Sequence, residues 1–258
     1  MSDTALRPTS LLGDASVMLG RSVRLSVRNM DALFTALFLP VMLMLLFVYL
    51  FGGAINTGTE YVTYVVPGVL ILCAGFGSSL TAVGVSQDMN GGIMDRFRSM
   101  DIKGASVLTG HVISSMARNL LSTVLVLAVA FLIGFRPEAN PLQVLGAIGI
   151  LLLFVLAFSW ISAAIGVVSR SVEAANGFGF FVLFLPYPSS AFVPIETMPT
   201  WIHGFAEHQP MTPVIETMRA LLLDQPLGNS AWLALAWCGG LLVAGVLAAT
   251  FAYRRRVS

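Results

Sequence analysis

The sequence predicts an all-α polytopic membrane protein with six transmembrane helices, and three observations predict it. Six apolar runs, each long enough to cross a bilayer, occupy most of the 258 residues. A helix needs about 20 apolar residues to span about 30 Å of hydrocarbon. Hydrophobic residues make up 57% of the chain and charged residues 10%, far below the roughly 25% charged of a soluble domain. A water-soluble core of this size would have no polar surface left to cover it. The basic residues then alternate from loop to loop, as the positive-inside rule demands.

The first 30 residues form a polar N-terminus and the remaining 31–258 a single transmembrane domain. Residues 10–30 are not a span. At 100° per residue Arg21, Arg24 and Arg28 share one stripe with Asp14, and Leu12, Leu19, Val23 and Met30 fall opposite. This pattern predicts an amphipathic helix at the membrane surface; a solvated helix packed on the chain's own loops has the same pattern. The first apolar run lacks the small-residue cleavage site of a signal peptide, so no processing is expected.

The first span is expected over 31–54, kinked at Pro40. The second, 62–87, is dotted with glycine and serine, which let neighbouring helices approach closely. The third and fourth cover 107–134 and 142–169, joined by a tight turn at Arg136, Pro137 and Pro141. The fifth, 173–195, is broken by Pro186 and Pro188, and the sixth, 230–252, stops at Arg254, Arg255 and Arg256.

The segment 196–224 predicts two short amphipathic helices, outside or re-entrant, before the last span. Pro199 opens the first. Thr212 followed by Pro213 reads as an N-cap and first helical residue of the second. Glu216 and Arg219 are spaced to pair on one helix face. Eleven of the fourteen basic residues fall on the side of the two termini; Arg136 and Arg219 lie opposite and Arg118 lies within the third span. Both termini are therefore expected in the cytoplasm and the protein in the inner (plasma) membrane, in contact with lipid.

Composition and motifs exclude several functions. Net charge is +1, so no global field recruits nucleic acid. A phosphate-binding loop needs Gly-Lys-Ser/Thr, and the single lysine, Lys103, stands between Ile102 and Gly104. Cys73 and Cys238 lie in apolar runs and read as buried hydrophobes. His203, Glu207 and His208 lack the held geometry of a zinc site, and no metal is expected. An intramembrane enzyme would need His-Glu-x-x-His, Gly-x-Ser-x-Gly or paired acids within a span, and none is present. An ATP-independent channel would need a polar stripe along a span, whereas Arg118 is isolated. It reads either as structural, snorkelling inward or pairing with Asp88, or as a relay toward the pore.

The stretch 88–106 is the one sizeable loop between spans on the basic side. It sets Phe97 and Met100 among Asp95, Arg96 and Arg98, and apolar knobs among charges suit docking onto a protein. GGIMDRFRSMDI in this loop, VLTGHVISSMARNLL after it and SSAFVPIETMPTWIHGFAEHQPMTPVIETMRALLL near the end carry a resemblance over nearly the whole chain. The chain resembles the membrane subunits of type-2 ABC exporters, most closely the daunorubicin/doxorubicin-resistance permeases of actinobacteria. It departs from their pattern at Asp101, where they have proline.

The resemblance implies an exporter permease that is not itself an enzyme, dimerises with an identical or different second permease subunit, and works with a separate ATPase subunit that binds ATP and Mg. It implies a coupling helix over roughly Asn90 to Met100 with Asp95, Arg96, Phe97, Arg98 and Met100 on the ATPase. Arg21, Arg24 and Arg28 then meet the ATPase, lipid phosphates or both. The expected substrate path holds Phe38, Met42, Phe76, Phe178 and Phe181, since aromatics and thioethers suit a large apolar ligand, although lipid-facing positions look the same. The expected outer gate holds Pro186, Pro188, Pro194 and Pro199. The substrate is a drug, a lipid or a lipid-linked product.

Overall fold

The structure, a computed structural model, describes residues 38, 41–55, 57–91 and 104–257. No strand occurs among the described residues. Helix α1 covers Val41–Phe51, and its last five residues, Phe47–Phe51, are π-helical. It is followed by α2 (Tyr61–Asn90), α3 (Gly104–Leu132), α4 (Pro141–Val168), α5 (Val172–Phe184), a 3-10 turn (Ile195–Thr197), α6 (Thr200–His208), α7 (Met211–Leu222) and α8 (Ser230–Val257).

Four of these helices, α2, α3, α4 and α8, are long and apolar enough to cross a membrane. Four of the six expected spans thus have helices of spanning length among the described residues. Helix α5 has 13 residues, about 20 Å at 1.5 Å per residue, which is less than the hydrocarbon thickness. Pro186 explains where it stops. It has no N–H to donate, and in a continuing helix its ring would strike the carbonyl four residues back. The chain turns instead from Leu185 onward. Pro40 and most of the first apolar run before Val41 lie outside the described residues, as do the segment expected to form an N-terminal helix, with Arg21, Arg24 and Arg28, and the residues Asp95, Arg96, Phe97, Arg98 and Met100.

Helix α2 is the centre of the bundle, packed on α3, α4 and α5 along its length and on α7 near its start. Small residues make these crossings close. A Cβ on Gly68 would come within 2.6 Å of the Ala191 carbonyl oxygen, and one on Gly166 within 2.5 Å of the Ala82 oxygen. Helix α8 lies along α4, where Gly245 meets the backbone of Ile161.

The two ends of the bundle differ. At the basic end, Arg254, Arg255 and Arg256 occupy the last turn of α8, where cations complement the helix dipole. The helix thus runs beyond the expected stop at 252. Arg256 donates to the carbonyls of Val167 and Ser169 and to Asn90 Oδ1 (2.8 Å). At the opposite end, Arg136 donates to the carbonyls of Phe131 (2.7 Å) and Phe135 (2.8 Å), closing α3. Asn140 and Gln143 form a capping box at the head of α4. The same end carries α6 and α7. Helix α7 starts at Met211 after Pro210, and Thr212 is no cap: its hydroxyl donates to the Ala206 carbonyl of α6 (2.5 Å).

Candidate transport path and outer gate

Between α5 and the 3-10 turn the backbone is irregular, in the stretch where the fifth span was expected to be broken by Pro186 and Pro188. Irregular backbone at membrane depth survives only when protein buries it or it lines a cavity, because each bare carbonyl there costs several kcal/mol. Here four alternate carbonyls are each satisfied by a side chain. Ser189 donates to the Pro186 carbonyl (2.5 Å). Gln209 donates to that of Pro188. Arg219 Nη2 donates to that of Ser190 (2.6 Å). The Tyr61 hydroxyl donates to that of Phe192 (2.9 Å). These donors come from the break itself, the α6–α7 junction, α7 and the head of α2.

An aromatic stack covers the break from the α1 side. Phe47 stacks on Phe192 with ring centroids 4.3 Å apart, and Tyr187 stacks on Phe192 at 5.1 Å. Of the four expected gate prolines, Pro186 is buried, Pro188 and Pro194 are half-buried, and Pro199 is the exposed cap of α6. Pro186, Pro188 and Pro194 share the break; Pro199 belongs to the next helix.

Arg219 does not form the expected surface pair with Glu216. Its Nε and Nη2 both lie 3.3 Å from the Tyr64 carbonyl oxygen, and its guanidinium sits 3.9 Å from the Tyr64 ring centroid. The physical reason is burial. α7 packs on α2 and α4, so a guanidinium there meets backbone carbonyls before it meets a carboxylate. Glu216 is itself half-buried. Burial pushes its carboxyl above the ordinary glutamate value, and the nearby Arg219 charge pulls it partly back. Both residues line a cavity of about 540 Å³ with Glu207, Gln225, Asn229 and Leu233, between α7 and the head of α8. His203 and His208 point their rings at the carbonyls of Met198 (2.8 Å) and Gly204 (2.9 Å). No cluster able to hold a metal occurs among the described residues.

The expected path residues separate. Phe38 and Met42 are exposed, Phe76 is half-buried, Phe178 packs against the core and Phe181 is exposed. Between Leu70 and Leu80, only Phe76 and Leu80 of α2 are not buried. With Val83 and Gln87 they form an i, i+4, i+7, i+11 strip, the one face of that helix left partly open.

Beside this strip lies a polar layer at mid-height. Arg118 Nη2 donates to the Gly77 carbonyl (3.2 Å). Asn119 Nδ2 reaches the Ser115 carbonyl (2.9 Å), and Ser159 of α4 donates to the Ser115 hydroxyl (2.9 Å). The proposed pairing of Arg118 with Asp88 is not made. Gly77 and Asp88 are eleven residues apart on one helix, about 16 Å at 1.5 Å per residue. Asp88 Oδ2 instead faces His111 Nε2 at 3.0 Å. Sequence reasoning missed Tyr61, Gln209 and Asn119 as holding residues. Their signal was polarity beside long apolar runs.

The sequence pattern of the ABC-2 type transporter family matches residues 14–223. The chain belongs to the ABC-2 type transporter family. Among its relatives is the daunorubicin resistance ABC transporter permease protein DrrB1 of Streptomyces coeruleorubidus, 32% identical over 186 residues, which are 71% of this chain and 66% of that protein. A probable doxorubicin resistance ABC transporter permease protein, DrrC, of Mycobacterium tuberculosis is 22% identical over 222 residues, covering 85% of this chain and 80% of its own length. As an ABC-2 permease the chain is the membrane component of a transporter and not itself an enzyme, and the family implies an ATPase partner.

Proposed function

We propose that this permease exports an apolar or amphipathic substrate from the cytoplasm, driven by a separate ATPase subunit that binds ATP and Mg. The family match over residues 14–223 carries the reading, and the relatives named for daunorubicin and doxorubicin resistance support the export of amphipathic compounds. Two permease subunits, identical or not, form the transport unit, with a central cleft between helices two and five of each. The protein lies in the plasma membrane with both termini in the cytoplasm, as the distribution of arginines favours. The loop residues Asp95, Arg96, Phe97, Arg98 and Met100 dock on the ATPase, and Arg21, Arg24 and Arg28 lie at the same surface.

The break between α5 and α6 is the outer gate in this reading. Its carbonyls are held by side chains rather than by a helix ladder, so it changes shape by exchanging single hydrogen bonds. Co-expression with the ATPase and ATP-driven uptake of an apolar dye into inside-out vesicles tests the whole reading. Phe97→Ala combined with Arg98→Glu should abolish uptake and co-purification while the permease still expresses. ATP hydrolysis by the purified chain without a partner, or uptake that needs no ATPase, would overturn it.

A further inference from the structure

Arg118 is the fifteenth of the 29 residues of α3, fourteen from either end, or about 21 Å at 1.5 Å per residue. That is farther than an arginine side chain reaches, so the guanidinium does not extend to either end of the helix. Its hydrogen bond goes to a neutral carbonyl, and its Nε is buried with no partner. A cation at mid-bilayer is costly and calls for a counter-charge.

Among the described residues the chain brings no carboxylate into an ion pair with Arg118. It has 13 acidic residues. Asp31, Asp88 and Glu173 stand at the ends of apolar runs, and the other ten lie in termini, loops and the outer helical segment. A second copy of the chain carries the same thirteen, again none in the interior of an apolar run. The surroundings nonetheless hold spare hydrogen-bonding capacity: the hydroxyls of Thr81 and Ser122 are buried without partners. Arg118 and His111 are seven residues, two turns, apart and so share a face of α3. Gly77, which accepts from Arg118, adjoins Phe76 on the partly open strip of α2.

Resting on the exporter reading above, we infer that Arg118 receives the anionic head of a transported amphiphile, a phosphate, sulfate or carboxylate, while the Phe76–Leu80–Val83 strip takes its apolar tail. The guanidinium offers a planar fork that matches these oxyanions. The substrate class is thereby an anionic amphiphile.

The test uses the full permease–ATPase complex in phosphatidylcholine nanodiscs. Binding of a fluorescent dodecyl phosphate is compared with that of its trimethylammonium counterpart, after subtraction of partition into empty discs. The phosphate form should bind at least about tenfold more tightly, a factor equivalent to about 1.4 kcal/mol. Arg118→Gln should erase the preference, and Arg118→Lys should keep part of it. Equal binding of both probes by the wild-type complex overturns the inference without any variant. So does a preference that Arg118→Gln leaves unchanged. A preference that appears only when phosphatidylglycerol is added assigns the site to a resident lipid and also overturns it, as does displacement of the probe by an equal concentration of inorganic phosphate. ATP-driven transport of a neutral dye is measured in parallel. If the neutral dye is carried but no anion preference exists, only this inference falls; if the wild-type complex transports neither, the exporter reading falls with it.

Discussion

Arg219 and Glu216 differ from a surface ion pair in every respect that matters energetically. Hydrogen bonds to charged groups are worth about 1.5–3 kcal/mol each, so Arg219→Gln should lower the unfolding free energy of the detergent-solubilised protein by at least an amount in that range, read as a lower unfolding midpoint. Arg219→Lys should recover only part, because a point donor cannot serve the Tyr64 and Ser190 carbonyls together. Glu216 should act with the opposite sign. Its carboxyl titrates above the ordinary glutamate value because it is partly buried. The folded state therefore binds more protons than the unfolded state between those two values, and stability falls as pH rises through that window. Glu216→Gln should raise the midpoint at pH 7 and flatten its dependence on pH. A variant that is less stable than wild type at neutral pH would mean that the carboxylate, not its desolvation, governs the site.

At the scale of elements, helix contacts depend on absent side chains. Gly68→Ala and Gly166→Ala push a Cβ against backbone, which cannot yield as a flexible side chain does. Each should cost about 1–3 kcal/mol. Gly149→Ala, with open space around it, should be near neutral, and equal effects at all three sites would refute this account of the packing. The proposed gate is an element too. Pro194→Ala and Pro199→Ala should reduce vesicle transport more than binding from the cytoplasmic side; a large loss of that binding with normal transport would place first contact outside. Much of this was legible in advance. Apolar length located α2, α3, α4 and α8 to within a few residues, and Pro186 marked the end of α5. The destinations of the polar side chains were not legible. Glu216 and Arg219 have ideal spacing for a pair, but spacing along one helix says nothing about the carbonyls of the break that approach from another. Arg118 and Asp88 failed as a pair for the same reason: the register between α2 and α3 is set by glycine contacts such as Gly77 against Asn119 and Gly84 against His111.

For the whole molecule, the burial of α2 decides which surfaces are left for a second subunit. Cysteines at Leu70 or Ile71 would be enclosed within one chain, since both side chains are buried. Cross-links across the proposed dimer should form instead from Phe76 and Leu80 of α2 and from Phe180 and Phe181 of α5, which are open to different degrees. Links arising only from α4 would mean a different architecture. The fastening at the basic end then has a mechanical meaning. Arg256 ties the last turn of α8 to Asn90, where α2 enters the proposed docking loop, and to the Val167 and Ser169 carbonyls at the end of α4. A push on that loop meets a braced strut rather than a loose tether. In the proposed coupling, helices joined at this point would tilt together, and the displacement would reappear at the far end of the lever, where the chain is pinned by bonds that can be released one at a time.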